Sequence, residues 1–197
     1  MNIFLCPTQN APLNPKSGLN GPPTLEMIKT GGDANWPWFA MLARMANSVQ
    51  IETVPARKLA AVRRQVRIGE VAQAWRPALD KVWEFLRQTP GLRTDGHNIF
   101  LYHHPENRSS PMNCDFGVEV TRAFEPSGEV RLVETPAGRV ATALHVGPYD
   151  QLKATHDAIH AWAAANRMTF AGKSWEIYGD PVPDASKCET RIEYLLT

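Results

Sequence analysis

Two stretches of this sequence carry residue types at spacings that could do chemistry. In His156-Asp157-Ala158-Ile159-His160, two imidazoles stand four residues apart with an acid between them. That is the arrangement of the zinc-hydrolase pattern H-E-x-x-H, in which a helix offers both histidines to one metal. The pattern needs a glutamate long enough to reach metal-bound water, and a third ligand. Asp157 is shorter than glutamate, and spacing marks no third ligand, so no metal site is expected. His156 instead falls beside the apolar stripe of a helix, where its loss should cost packing alone.

The second stretch is Trp175-Glu176-Ile177-Tyr178. Side chains alternate along a strand, so Glu176 and Tyr178 share one face and Trp175 and Ile177 the other. The same alternation in Phe100-Leu101-Tyr102 puts Phe100 and Tyr102 on a corresponding face. A carboxylate among three aromatic rings suits a cation, through charge pairing and cation–π attraction. Desolvation there would raise the carboxyl pKa and give it the character of a general base. The plainer alternative is a solvent-facing glutamate on an edge strand, and spacing alone leaves both open.

The elements that would position these residues come from a repeat. "IETVPARKLAAV" (51–62) parallels "VETPAGRVATAL" (133–144), "FLYHHP" (100–105) parallels "EIYGDP" (176–181), and "CDFGVEV" (114–120) parallels "CETRIEY" (188–194). Three matches in one order argue for a duplicated unit. Each half reads as strand, helix, strand, strand, with a long alternating first strand near 49–66 and near 130–146. The first helix, near 69–88, buries Leu79, Val82 and Leu86, with a kink or fresh start expected at Pro77 and a stop at Thr89-Pro90-Gly91. The second begins after Gly147, with Pro148 at its first position, and buries Leu152, Thr155, Ile159 and Trp162 or Ala163. The expected fold is α+β: a tandem pseudo-symmetric βαββ repeat, about 48–124 and 130–197, with antiparallel sheet, helices on one side and a ligand cleft between the halves.

Residues 1–47 differ. Pro7, Pro12, Pro15, Pro22, Pro23 and Pro37 are interleaved with Asn and Gly, and no period lasts. The segment is expected to be disordered, with Trp36–Leu42 docking locally, or to be an over-extended reading frame with Met45 as the natural start. It has no basic start followed by an unbroken apolar core, as a secretory signal would.

Composition excludes more than it selects. The formal net charge is +1 and 43% of residues are hydrophobic, which gives no reason to expect nucleic acid or membrane as a partner. Cys6, Cys114 and Cys188 form no C-x-x-C pair and fit a reducing cytoplasm. Cys114 and Cys188 read as small buried residues. The His103-His104 pair reads as exposed at a strand end, and Arg57-Lys58, Arg63-Arg64 and Arg67 as a solvated basic face. No G-x-S-x-G elbow or phosphate-binding glycine loop appears, and no cofactor is expected.

"VETPAGRVATALHVGPYDQL", a helix with Trp162, then "GKSWEIYGDP" and a final strand together resemble the GyrI-like effector-binding family. This family includes the gyrase-inhibitory protein and the ligand-sensing halves of bacterial multidrug-responsive transcription regulators. The resemblance covers about residues 48–197. It implies an aromatic-lined groove between two βαββ units, with Glu176 at its centre meeting cationic or polar drug-like ligands. Phe100, Tyr102 and Tyr178 would line it, with Tyr149 and Trp83, although the last two are also ordinary packing residues. The first 47 residues lack the length and pattern of a helix-turn-helix domain, so the chain resembles a stand-alone form. Some stand-alone relatives are hydrolases of cyclopropane-bearing alkylators, which would give Glu176 with Tyr102 or Tyr178 a catalytic role. The resemblance also allows a homodimer, or a protein partner such as DNA gyrase.

Overall fold

Eight strands pair into one antiparallel sheet in the order β1-β6-β8-β7-β3-β4-β2-β5. The computed structural model describes residues 48–93, 96–107 and 109–197. The expectations placed on residues 1–47 lie outside these. The strands are β1 (Gln50–Val54), β2 (Lys58–Val66), β3 (Asn98–His103), β4 (Met112–Glu119), β5 (Arg131–Glu134), β6 (Gly138–Val146), β7 (Phe170–Tyr178) and β8 (Glu189–Leu196). Helices α1 (Val71–Gln88) and α2 (Leu152–Ala165) complete the fold. A two-fold pseudo-symmetry runs between the central strands β7 and β3, relating β6 to β2 and β8 to β4. It is the sheet-level expression of the sequence repeat.

The long first strand of each half is two strands, not one. Pro55 and Pro136 carry no backbone donor, so neither can continue a ladder. Beyond the break the chain changes partner: β1 pairs with β6 of the other half, and β5 pairs with β2. Residues 55–57 thus carry the chain from the first position in the sheet to the seventh. The peptide links from Val54 to Lys58 reach at most about 14 Å, whereas six strand spacings in a flat sheet span about 29 Å. The sheet must therefore curl until its two ends approach. The linkers meet there, where the Arg57 amide donates to Thr135 Oγ1 at 2.9 Å and the Thr135 amide donates to the Arg57 carbonyl at 3.0 Å.

Inside the curl lies a cluster built from Val54, Leu59, Ile99, Leu101, Val140, Trp175 and Ile177. The helices cover the other face. Trp75, Ala78, Leu79, Val82 and Leu86 form the buried stripe of α1, which lies on β2 and β4. Leu152, Thr155, Ile159 and Ala163 form that of α2, which lies on β6. Of the two residues offered for the last place in that stripe, Ala163 is buried and Trp162 half-buried. Helix α1 runs unbroken through Pro77, so of the kink or fresh start expected there, the fresh start does not occur. Pro77 is exposed, as is Gln73, whose carbonyl a proline at position 77 leaves without an amide partner. Pro148 is not the first residue of the second helix: it caps a 3-10 turn, Tyr149–Gln151, that leads into α2 at Leu152.

Gly147 joins β6 to that turn at φ 145°, a conformation open to few side chains. Its amide donates to the Cys188 carbonyl at 2.8 Å, so the backbone there has little freedom to relax. Gly147→Ala is expected to lower the unfolding free energy by about 1–3 kcal/mol, measured by chemical denaturation. An unchanged midpoint would show that the junction tolerates another backbone path.

Candidate functional site

Because α1 and α2 sit over the flanking strands, they leave the middle of the sheet uncovered between them. The floor of the resulting cavity is the pair β3 and β7, registered with Phe100 opposite Glu176 and Tyr102 opposite Ser174. Strand alternation turns Phe100, Tyr102, Ser174, Glu176 and Tyr178 to this face, and Tyr194 of β8 joins them. The walls are Val71, Ala72 and Trp75 of α1, Tyr149, and Leu152, His156 and His160 of α2. The cavity holds about 740 Å³, within the usual range for small-molecule sites.

Glu176 is buried at 5% exposure in the floor, so it is not the solvent-facing edge residue that spacing left open. Its Oε2 accepts from the Tyr102 hydroxyl at 2.7 Å and the Tyr178 hydroxyl at 2.5 Å. Its Oε1 lies 2.9 Å from His156 Nε2, and His156 Nδ1 lies 2.9 Å from the Tyr194 hydroxyl. Burial pushes the Glu176 carboxyl up. The hydrogen bond and charge of His156, with the Tyr178 and Tyr102 hydroxyls, outweigh burial and hold the group below its ordinary value. Burial, and then the Glu176 carboxylate, push the Tyr102 and Tyr178 phenols well above theirs. Both tyrosines therefore stay protonated and act as donors. The expected raised pKa of Glu176 is thus reversed: an anion whose acceptors are this well supplied is a weak base and a stable negative charge.

Aromatic rings surround that charge. Phe100 packs edge-on against Phe116 at 4.9 Å and tilted against Tyr178 at 4.8 Å, and Tyr149 meets Tyr178 edge-on at 5.3 Å. Trp83 stands apart from them. It is half-buried against the cluster beneath α1, with the Arg93 guanidinium 4.6 Å over its ring, and it does not line the cavity. Trp75 lines the cavity, and position 83 lies about two turns further along the same helix, past the end of the cavity.

Several residues read as scaffold take part in polar contacts. His156 is not a packing residue, since both ring nitrogens are engaged in the site. His160 turns to other rings, packing edge-on against Phe170 at 5.2 Å and Tyr194 at 5.0 Å. Among the described residues, no group of three or more His, Cys, Asp or Glu side chains could hold a metal ion. His104 lines the cavity, stacked 5.8 Å from Tyr194, with Nε2 2.7 Å from Ser174 Oγ. His103, on the opposite face, lies 2.7 Å from Asp115, which also takes a two-pronged contact from Arg63, both at 2.8 Å. The basic stretch is thus in part an ion-paired surface and not a simply solvated one: Arg57 meets Glu119, and Arg64 meets Glu129. The signal for His156 was present in the sequence as helical spacing from Leu152 and Ile159. Nothing in the sequence indicated that the facing strand would carry Glu176 opposite it.

Comparison with known proteins comes to the same architecture. The model of the GyrI-like small-molecule-binding domain matches residues 47–195. The EcmrR C-terminal domain superposes with a TM-score of 0.64 at 21% identity, covering 76% of this chain and 97% of that one. SAV2435, solved bound to tetraphenylphosphonium, gives 0.60 at 12% identity, covering 76% and 94%. A hydrolase encoded by lin2189 from Listeria innocua gives 0.54 at 13% identity, covering 82% and 97%. At these identities the likeness is one of fold. No curated protein matches the sequence. No helix among the described residues is long and apolar enough to cross a membrane.

Proposed function

The chain belongs to the GyrI-like small-molecule-binding domain family, and from that premise and the geometry of the cavity we propose that it binds bulky aromatic cations, with Glu176 as their counter-charge. The observation that carries this reading is a buried carboxylate, held ionised by three donors, in the floor of an aromatic cavity of about 740 Å³. A buried anion without a permanent cation beside it has an incompletely balanced charge, and a cationic ligand supplies the balance.

The filling of the acceptors narrows the ligand class. Oε2 already accepts two hydrogen bonds and Oε1 one, so little of the carboxylate is left to a ligand's N–H donors. A delocalised or quaternary cation needs only the field and the ring faces, which suits a phosphonium or a quaternary ammonium better than a primary ammonium. The test is calorimetric titration with tetraphenylphosphonium and with neutral triphenylphosphine oxide. The cation is expected to bind about 10–100-fold more tightly, the scale of one charge-assisted contact in a desolvated site. Equal affinities would remove Glu176 from the reading, and no binding of either would remove the cavity.

A second reading on the same site is hydrolysis, with Glu176 steering water and Tyr102 or Tyr178 giving up a proton. The two protonated phenols on one carboxylate oxygen favour it. The lowered basicity of Glu176 weighs against it, and binding is the better-supported function.

A further inference from the structure

His156 stands on the side of Glu176 that the tyrosines leave open. Both hydroxyl contacts fall on Oε2, so a ligand's charge is left Oε1, and there the imidazole is already 2.9 Å away. Both charge states of the ring fit this position. As neutral imidazole, Nε2–H donates to Oε1 and bare Nδ1 accepts from the Tyr194 hydroxyl. As imidazolium, both nitrogens donate, and the Tyr194 oxygen accepts at the same 2.9 Å. The ring can therefore change charge without moving. Its side chain is 22% exposed, so solvent protons reach it, while that of Glu176 is 7% exposed beneath.

We propose that His156 sets the charge the cavity offers its ligand, so that a cationic ligand and a proton on His156 exclude one another. This rests on the reading above and adds the residue that decides between cationic and neutral ligands. With the ring neutral, carboxylate and imidazole together carry one negative charge, and a monovalent cation completes it. With the ring protonated the pair is closed on itself, and a second cation meets a neutral site with a positive rim.

The groups facing His156 do not change this sign. On β3 and β7, Tyr102 and Tyr178 are phenols held in their protonated form. On its own helix, Lys153 and Asp157 pair with each other at 2.5 Å and contribute no net charge. The remaining imidazoles at the cavity are His104, 2.7 Å from Ser174 Oγ, and His160, packed against the rings of Phe170 and Tyr194. Tyr194 of β8 is their shared neighbour, and Glu106 also lines the cavity. The α1 wall is apolar.

The expected linkage has one sign. Affinity for a cation is complete where the imidazole is neutral and falls as a proton competes with the cation beside the same carboxylate, by up to about tenfold per pH unit for one proton exchanged. The experiment is calorimetric titration of the full chain with tetraphenylphosphonium between about pH 5.5 and 8, in pairs of buffers with different ionisation enthalpies. Wild type is expected to bind at least about tenfold more weakly at the acid end, and to release a proton on binding there. His156→Gln should bind the cation with little pH dependence, while His160→Gln should keep the wild-type slope. Triphenylphosphine oxide should show no slope on wild type. A slope that survives His156→Gln overturns the proposal, as does a flat wild-type profile with no proton release. Should His156→Gln fail to fold, the proton count on wild type still decides. If the cation binds at no pH, the cation-binding function itself falls and takes this inference with it, an outcome distinct from binding that ignores pH.

Discussion

Glu176→Gln is expected to weaken tetraphenylphosphonium binding by about 1–3 kcal/mol, the scale of losing one charge-assisted contact. Neutral aromatic ligands should bind about as before. Glutamine keeps the shape of the side chain, and its surroundings can adapt. Tyr102 and Tyr178 reach the same oxygen, Oε2, and their hydroxyls can each turn to donate or accept. His156 can exchange tautomers to meet whichever amide atom faces it. What the substitution removes is the negative charge. Tyr102→Phe and Tyr178→Phe each delete one donor and leave the charge, so in a binder their effects should be mild. If the site is a hydrolase, the pattern inverts. Glu176→Gln then spares substrate binding and slows turnover by about 10²–10⁴-fold, and the two phenylalanine variants slow it as well. Affinity and product formation measured side by side on the wild type and three variants separate these outcomes. A Glu176→Gln protein that behaves as wild type in both would end the assignment of the central carboxylate.

Trp175→Ala should cost about 3–5 kcal/mol of stability, the usual loss when a buried aromatic ring leaves a cavity behind. Trp175 follows Ser174 and precedes Glu176 on β7, so alternation sends it to the face opposite the site. There it is 1% exposed among Leu101, Ile99, Ile177 and Val140 inside the curl. The inner cluster is what the two sheet ends close upon, so no other layer can move in to fill the gap. Urea denaturation of wild type and variant measures the effect. A loss under about 1 kcal/mol would mean that the curl collapses onto the missing ring. Because Trp175 and Glu176 are neighbours on opposite faces, the same variant is expected to weaken ligand binding through loss of order in β7, although Trp175 touches no ligand.

Much of the site was legible in the sequence because it depends on neighbours along the chain. Alternation alone puts Phe100 with Tyr102 and Glu176 with Tyr178, and in an antiparallel pair those faces have only to be registered for the floor to form. The stripes Leu79, Val82, Leu86 and Leu152, Thr155, Ile159 follow from helical spacing in the same way. The repeat implied that two such halves would be related by symmetry, and the sheet order bears that relation out.

The tertiary structure decided the remainder, each time through a distance no local pattern contains. Proline marks where a strand ends but not where the chain goes next, so the exchange of β1 and β5 between halves, and the curl it forces, were hidden. The rotation and placement of α2 over the sheet, set by packing along its whole stripe, turn His156 to a carboxylate 20 residues away in sequence and leave His160 among rings. The placement of α1 likewise withdraws Trp83 from the cavity. The protonation of Glu176 could not be read either, because it is a balance. Burial was foreseeable and pushes the carboxyl up, whereas the donors that pull it down come from β3, β7 and α2. A pKa sums contributions from everything within a few ångströms, and only the folded chain specifies what that includes.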